Sequence, residues 1–349
     1  MAVSVHREPA VEESESLRSD ANTAGPMTDP VPGPRPADSD PVTVHGPLIG
    51  AEVVSHETRP SMPRPDQTRV MVVANQKGGV GKTTTTVNLA ASLALHGNRV
   101  LVIDLDPQGN ASTALGIDHH ADVPSIYDVL VDSKQLSEVV QPVRDVEGLF
   151  CAPATIDLAG AEIELVSLVA RESRLDRAIK AYEQPLDYIL IDCPPSLGLL
   201  TVNALVASAE VLIPIQCEYY ALEGLGQLLR NVELVRGHLN PKLHVSTILL
   251  TMYDGRTRLA SQVADEVRSH FGQEVLRTSI PRSVRISEAP SYGQTVLTYD
   301  PSSSGALSYL EAAREIALRG IGVHYDGSRA HTVGHQQQHD QHSMSEGLQ

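Results

Sequence analysis

Tryptophan is absent and phenylalanine occurs twice, so aromatic residues make up only 3 % of the chain. A core must then be built from Val, Leu, Ile and Ala, which suits parallel strands buried on both faces. Cysteine is nearly as scarce. Cys151, Cys193 and Cys217 are widely spaced and match no zinc pattern, so a reducing cytosol is the simplest setting. No run approaches the ~18–20 apolar residues that a membrane span needs. The N-terminus is acidic and proline-rich, with neither the charged nor the apolar region of a signal peptide. A cytoplasmic protein without a membrane partner is expected. Positive charge is also in short supply: 27 Lys and Arg stand against 43 Asp and Glu, a net charge of −16. That balance argues against nucleic acid as a general partner, but a binding face needs only a local cluster of arginines.

What is present fits one large α/β domain with extensions at both ends: 349 residues, 41 % hydrophobic and 20 % charged. Residues 1–66 hold 11 of the 23 prolines and acidic stretches such as Glu12–Glu15, without sustained apolar periodicity. Such a leader cannot bury enough apolar surface to offset its ordering entropy, and it is read as disordered. The tail, residues 321–349, carries His331, His335, His339 and His342 among glutamines and is read as a solvated, disordered segment rather than a metal site. Between them, residues 67–320 alternate β-branched runs with helical segments. Strands are predicted over Val70–Ala74, Val100–Asp104, Tyr188–Asp192, Val211–Ile215 and Val245–Thr251. Helices are predicted over Thr83–Leu95, Leu199–Ser208, Leu222–Leu239, Arg258–Phe271 and Ser304–Leu318. The alternation implies a mainly parallel, twisted sheet with helices on both faces.

The strongest motif is Lys77-Gly78-Gly79-Val80-Gly81-Lys82-Thr83-Thr84, between the first predicted strand and the first predicted helix. It fits the phosphate-loop pattern G-x-x-x-x-G-K-[ST] loosely, because Lys77 or its neighbourhood takes the place of the first glycine. The physical parts are all there. Glycines let backbone N–H groups turn inward around phosphate oxygens. Lys82 offers a point charge to the β- and γ-phosphates, and the Thr83 hydroxyl suits Mg²⁺. A nucleotide, with ATP and Mg²⁺ as the expected pair, follows from this loop. Two further carboxylate sets sit at strand ends, where open α/β sheets bind ligands. One is Asp104-Leu105-Asp106-Pro107-Gln108-Gly109-Asn110. The other is Asp192, which closes the apolar run Tyr188–Ile191 and should contact Mg²⁺ through water or orient Thr83.

With Lys77 added to the loop, the sequence resembles the deviant Walker P-loop ATPases, and most closely the ParA/Soj chromosome- and plasmid-partitioning proteins. The likeness runs from about Arg69 to about Arg319. It includes Pro153-Ala154-Thr155, the segment Gln216-Cys217-Glu218-Tyr219-Tyr220-Ala221-Leu222-Glu223-Gly224, the segment Thr251–Thr257, and Ile280–Ser291. It implies an ATP hydrolase of weak basal turnover that closes as an ATP sandwich homodimer, with Lys77 reaching the partner's nucleotide as an arginine finger does. It implies that Asp106 polarises the attacking water, that Gln108 follows the γ-phosphate, and that Asp104 acts on the Mg²⁺ shell through water. Pro281, Ser283 and Val284 would lie by the adenine. The family usually carries Asn where Ser283 stands, so contacts there are expected from backbone. Arg256 and Arg285 would form a patch for nonspecific double-stranded DNA across the dimer, giving nucleoid association. A ParB-like, centromere-bound partner would stimulate hydrolysis. The alternative is a related positioning ATPase for a protein cargo or septum component. A membrane-lying relative would end in a basic amphipathic helix, which the residues after Ala317 do not offer. An iron-protein-like reductase would need paired cysteines at a subunit interface, and the spacing of Cys193 and Cys217 does not resemble that arrangement.

Overall fold

The computed structural model describes residues 61–219 and 221–321. Most of the leader, the tail histidines and Tyr220 lie outside the described residues. In chain order the elements are β1 (Arg69–Val73), α1 (Lys82–Ala94), β2 (Val100–Asp104), α2 (Asn110–Ala114), α3 (Ile126–Leu130), β3 (Gln141–Pro142), β4 (Leu149–Ala152), α4 (Leu158–Leu165), α5 (Arg174–Lys180) and β5 (Tyr188–Asp192). They continue with α6 (Leu199–Ala207), β6 (Glu210–Gln216), α7 (Ala221–His238), β7 (His244–Tyr253), α8 (Arg258–Phe271), β8 (Val275–Pro281), α9 (Val284–Glu288), α10 (Val296–Tyr299) and α11 (Ser304–Gly320).

The sheet runs β3-β4-β2-β5-β1-β6-β7-β8. Every pairing is parallel except that of β3 with β4. All long strands therefore end on one edge, and the loops that leave those ends share a surface. The central strands are apolar throughout because both faces are covered. Successive residues point to opposite faces: Met71 and Val73 join a core with α1, α2 and α11, whereas Val72 and Ala74 join the core under α3 to α8. Each predicted strand and helix has its counterpart, with ends moved by up to two residues. Three sheet strands, β3, β4 and β8, were not foreseen. The first has two residues and the second four, and the third carries Arg277 and Thr278 inside an outer strand, so none shows a long apolar run.

One boundary needs correction. The leader was read as ending at residue 66, yet its last residues pack on the domain. Met62 is 5 % exposed and belongs to the core of α1 and α11. Its N–H donates to His96 O at 2.9 Å, and Arg64 Nη2 donates to Gly97 O at 2.6 Å. A single buried methionine between prolines produces no periodicity, which is why the segment reads as a linker. Near it, Arg69 clamps three elements. Its guanidinium donates to both Glu210 oxygens at 2.7 and 2.6 Å and to Ile316 O at 2.7 Å, joining β1, β6 and α11.

Candidate nucleotide-binding site

The loop between β1 and α1 is built to leave backbone N–H groups open. Gly79 and Gly81 adopt φ +75° and +88°, the left-handed region that glycine enters at no steric cost. Nothing lies within 4 Å of where a Cβ on Gly78 or Gly79 would stand. The loop is fixed from behind instead. Asn75 Nδ2 donates to Pro214 O at 2.8 Å, Lys77 N–H donates to Asn75 Oδ1 at 3.0 Å, and Thr251 Oγ1 donates to Val80 O at 2.8 Å. The place of the pattern's first glycine is taken by Gln76, whose Nε2 is buried and meets no acceptor in the protein. Helix α1 starts at Gly81 without a side-chain cap and without an acidic residue in its first turn. Its first N–H groups thus remain available to an anion.

Lys82 opens that helix and is 7 % exposed. Burial lowers the pKa of its ammonium, while the charges of Asp192 and Asp106 push the other way. Those three residues therefore share one small space. The register places Asp104 directly beside Asp192 on paired strands. Thr83 Oγ1 donates to Asp192 Oδ2 at 2.7 Å, and Thr86 Oγ1 donates to Asp192 Oδ1 at 3.1 Å. Thr86 was not singled out in the sequence. Its signal was available, since residues 83 and 86 fall three apart and share a helix face. Asp104 accepts from Ser112 N and Oγ at 2.9 and 2.8 Å and from Asp106 N at 3.1 Å, tying α2 to the end of β2. Both carboxyls are fully buried, and burial raises the pKa of each, with the neighbouring aspartate's charge adding to the effect. Two buried acids side by side need a cation, and Lys82 supplies one charge for them.

Asp106 is 8 % exposed and accepts from Gln108 N at 3.1 Å, and Gly109 at φ +63° turns the chain into α2. The Gln108 side chain is exposed and accepts from Asn110 Nδ2 at 3.0 Å. Lys77 lies at the mouth of the site, its Nζ 3.3 Å from Glu218 Oε2. Pro281 ends β8, Ser283 immediately precedes α9 without a side-chain capping bond, and Val284 is exposed, all on the same sheet edge as the loop. Both singled-out arginines stand on that edge and are engaged with carboxylates. Arg256 makes a two-pronged pair with Asp254 at 2.8 Å, and those hydrogen bonds hold the Asp254 carboxyl down to about 2. Arg285 contacts Glu288 at 3.0 Å and Asp300 at 3.4 Å.

A glycine loop running from a central parallel strand into an uncapped helix, with a buried lysine and a carboxylate-held threonine, defines a P-loop nucleotide-binding domain. The family model described as "AAA domain" matches residues 68–245. The sporulation initiation inhibitor protein Soj of Bacillus subtilis is 56 % identical over 72 % of this chain and 99 % of its own length. The chromosome partitioning protein ParA of Myxococcus xanthus is 51 % identical over 72 % of this chain and 88 % of its own. Among solved structures, the cobyrinic acid a,c-diamide synthase of Mycobacterium smegmatis, with bound ATP analogue and magnesium, superposes at a TM-score of 0.63. It is 40 % identical over 72 % of this chain and 95 % of that one. The chain belongs to the ParA/Soj family of chromosome-partitioning P-loop ATPases.

Proposed function

We propose that this chain binds MgATP, closes on a second copy of itself, holds double-stranded DNA nonspecifically in that state, and lets go when ATP is hydrolysed. The observation that carries the reading is the common edge: the phosphate loop, both aspartate-bearing strand ends, Lys77 and the Arg256 and Arg285 segments all leave the sheet on one side. Nucleotide and DNA contacts are then a few loops apart, which is what a nucleotide-gated DNA clamp needs.

The residues fit a triphosphate. The open glycine backbone and the first turn of α1 would bind the phosphates, and Lys82 would place its charge on the β- and γ-phosphates. Thr83, held by Asp192, would hold Mg²⁺, with Asp104 and Asp192 around it; the ion, when bound, neutralises charge on the phosphate oxygens. Asp106 would orient and polarise the attacking water, with Gln108 beside it. Lys77 would stabilise the charge that develops on the partner's nucleotide. Pro281, Ser283 and Val284 would contact the adenine. DNA phosphates would take Arg256 and Arg285 from their present carboxylate partners. A ParB-like protein bound at the centromere would speed hydrolysis and so release the dimer, giving directional movement of DNA on the nucleoid.

The test is duplex binding measured with ATP, with ADP and without nucleotide. Binding with ATP alone is expected. Equal binding in all three states would show that nucleotide does not gate it, and no binding in any state would favour the positioning of a protein cargo instead. Among the described residues no helix is long and apolar enough to cross a membrane.

A further inference from the structure

Lys77 and the arginine surface are joined by one carboxylate. Glu218 stands two residues past the end of β6, with Oε2 3.3 Å from Lys77 Nζ and Oε1 3.8 Å from Arg282 Nη2. Gln216 Nε2 also donates to Glu218 Oε1. Arg282 lies in turn close enough to Asp254 for its charge to act there, and Asp254 holds Arg256. A series of alternating charges, Lys77–Glu218–Arg282 and then Asp254–Arg256, thus runs from the nucleotide loop towards the surface assigned to DNA.

We propose that Glu218 is a positioning residue that latches Lys77 to its own subunit and competes with the partner's nucleotide for it. The inference rests on the reading of Lys77 as a residue that acts across the dimer. In the pair, the lysine's charge is spent inside its own subunit, so closure must first separate it from Glu218. The Lys77 side chain is 33 % exposed and that of Glu218 46 % exposed. A pair this open to solvent is weak enough to release. Arg282 makes release tolerable, because it leaves the carboxylate with a cation after Lys77 has gone. Without that cation Glu218 would face the partner's phosphates as a bare negative charge.

Glu218→Gln removes the charge and keeps a carbonyl oxygen that accepts from Gln216, so the local fold is retained. Two latches open per dimer, and the dimer dissociation constant in saturating MgATP should fall about tenfold, read by light scattering across a protein dilution series. Arg282→Ala should move it the other way, because Glu218 then holds Lys77 alone. These opposite signs are not what simple damage to the loop produces. The latch is overturned if the parent dimerises with ATP and Glu218→Gln leaves the constant unchanged or raises it at an unchanged melting temperature. It is also overturned if Arg282→Ala lowers the constant. If Glu218→Gln melts early, the direction of Arg282→Ala decides. If the parent and both variants stay monomeric at every concentration, the dimer reading fails and the latch with it.

Discussion

Lys82 sits in a nearly closed space, where burial lowers the pKa of its ammonium and the charges of Asp192 and Asp106 oppose that shift. A triphosphate arriving in the loop strengthens that balance, so the lysine is placed before the ligand comes. Lys82→Ala should weaken ATP binding by about a hundredfold or more, measured by titration calorimetry; near-parent affinity would contradict the phosphate role. Asp106→Ala removes a group assigned to water attack and not to binding. It should bind MgATP and dimerise as the parent does while turnover drops by about 10²–10⁴-fold. Only monomers with ATP, seen by light scattering, would show that Asp106 has another task. Lys77→Ala should keep nucleotide affinity within its own subunit and lose ATP-dependent dimerisation, and unchanged dimerisation would count against action in trans.

At the scale of elements, α1 is held on every side. Asn88 Oδ1 accepts from Val296 N at 2.8 Å, Tyr309 of α11 lies 3.4 Å from Thr85 Oγ1, and Met62 closes the end near His96. The stretch before β1 is therefore part of the packing that fixes the phosphate-loop helix. Removal of residues 1–66 should destabilise the domain more than removal of residues 1–60, and Met62→Ala should cost about 2 kcal/mol; equal melting temperatures for the two truncations would place Met62 outside the core. The Arg69–Glu210 clamp carries a pH signature. Burial pushes the Glu210 carboxyl up, but the hydrogen bonds and charge of Arg69 outweigh it, so the group titrates below an ordinary glutamate. A depressed carboxylate pKa means stability that is present above the unfolded pKa and is lost as pH falls through the folded one. Glu210→Gln should lower the melting temperature at pH 7, and the gap to the parent should close below about pH 4. A gap that persists there would mean that the charge is not what stabilises the joint.

At the scale of the whole molecule, the proposed function asks an acidic chain to bind a polyanion. On that proposal attraction would come from a small arginine surface against a repelling background, two copies would be needed, and affinity should fall steeply with salt and depend little on sequence. Arg285→Glu should abolish duplex binding while ATP-dependent dimerisation survives, and Arg256→Glu should do the same. In the structure these arginines are paired with Asp254, Glu288 and Asp300, so phosphate must displace carboxylates, which lowers affinity for a single subunit further. A salt series in which the Arg285→Glu dimer matches the parent would remove DNA from the mechanism.

The sequence alone determined the fold class, the order of the central elements and the place of the phosphate loop. Those rest on local physics: β-branched runs, helical periodicity, and glycines between a strand and a helix. Residues such as Lys82, Thr83 and Asp192 could be picked out because one short segment holds each set. The tertiary structure alone decided that Asp104 is tied to Ser112, that Thr86 adds a second hydroxyl to Asp192, and that Met62 is core. It alone decided that Glu218 joins Lys77 to Arg282, residues 141 and 64 positions away along the chain. Strands far apart in sequence come to lie parallel and end on one edge, and only that pairing brings their loops together. No local pattern records which loops will be neighbours, because the sheet order is set by how both cores pack.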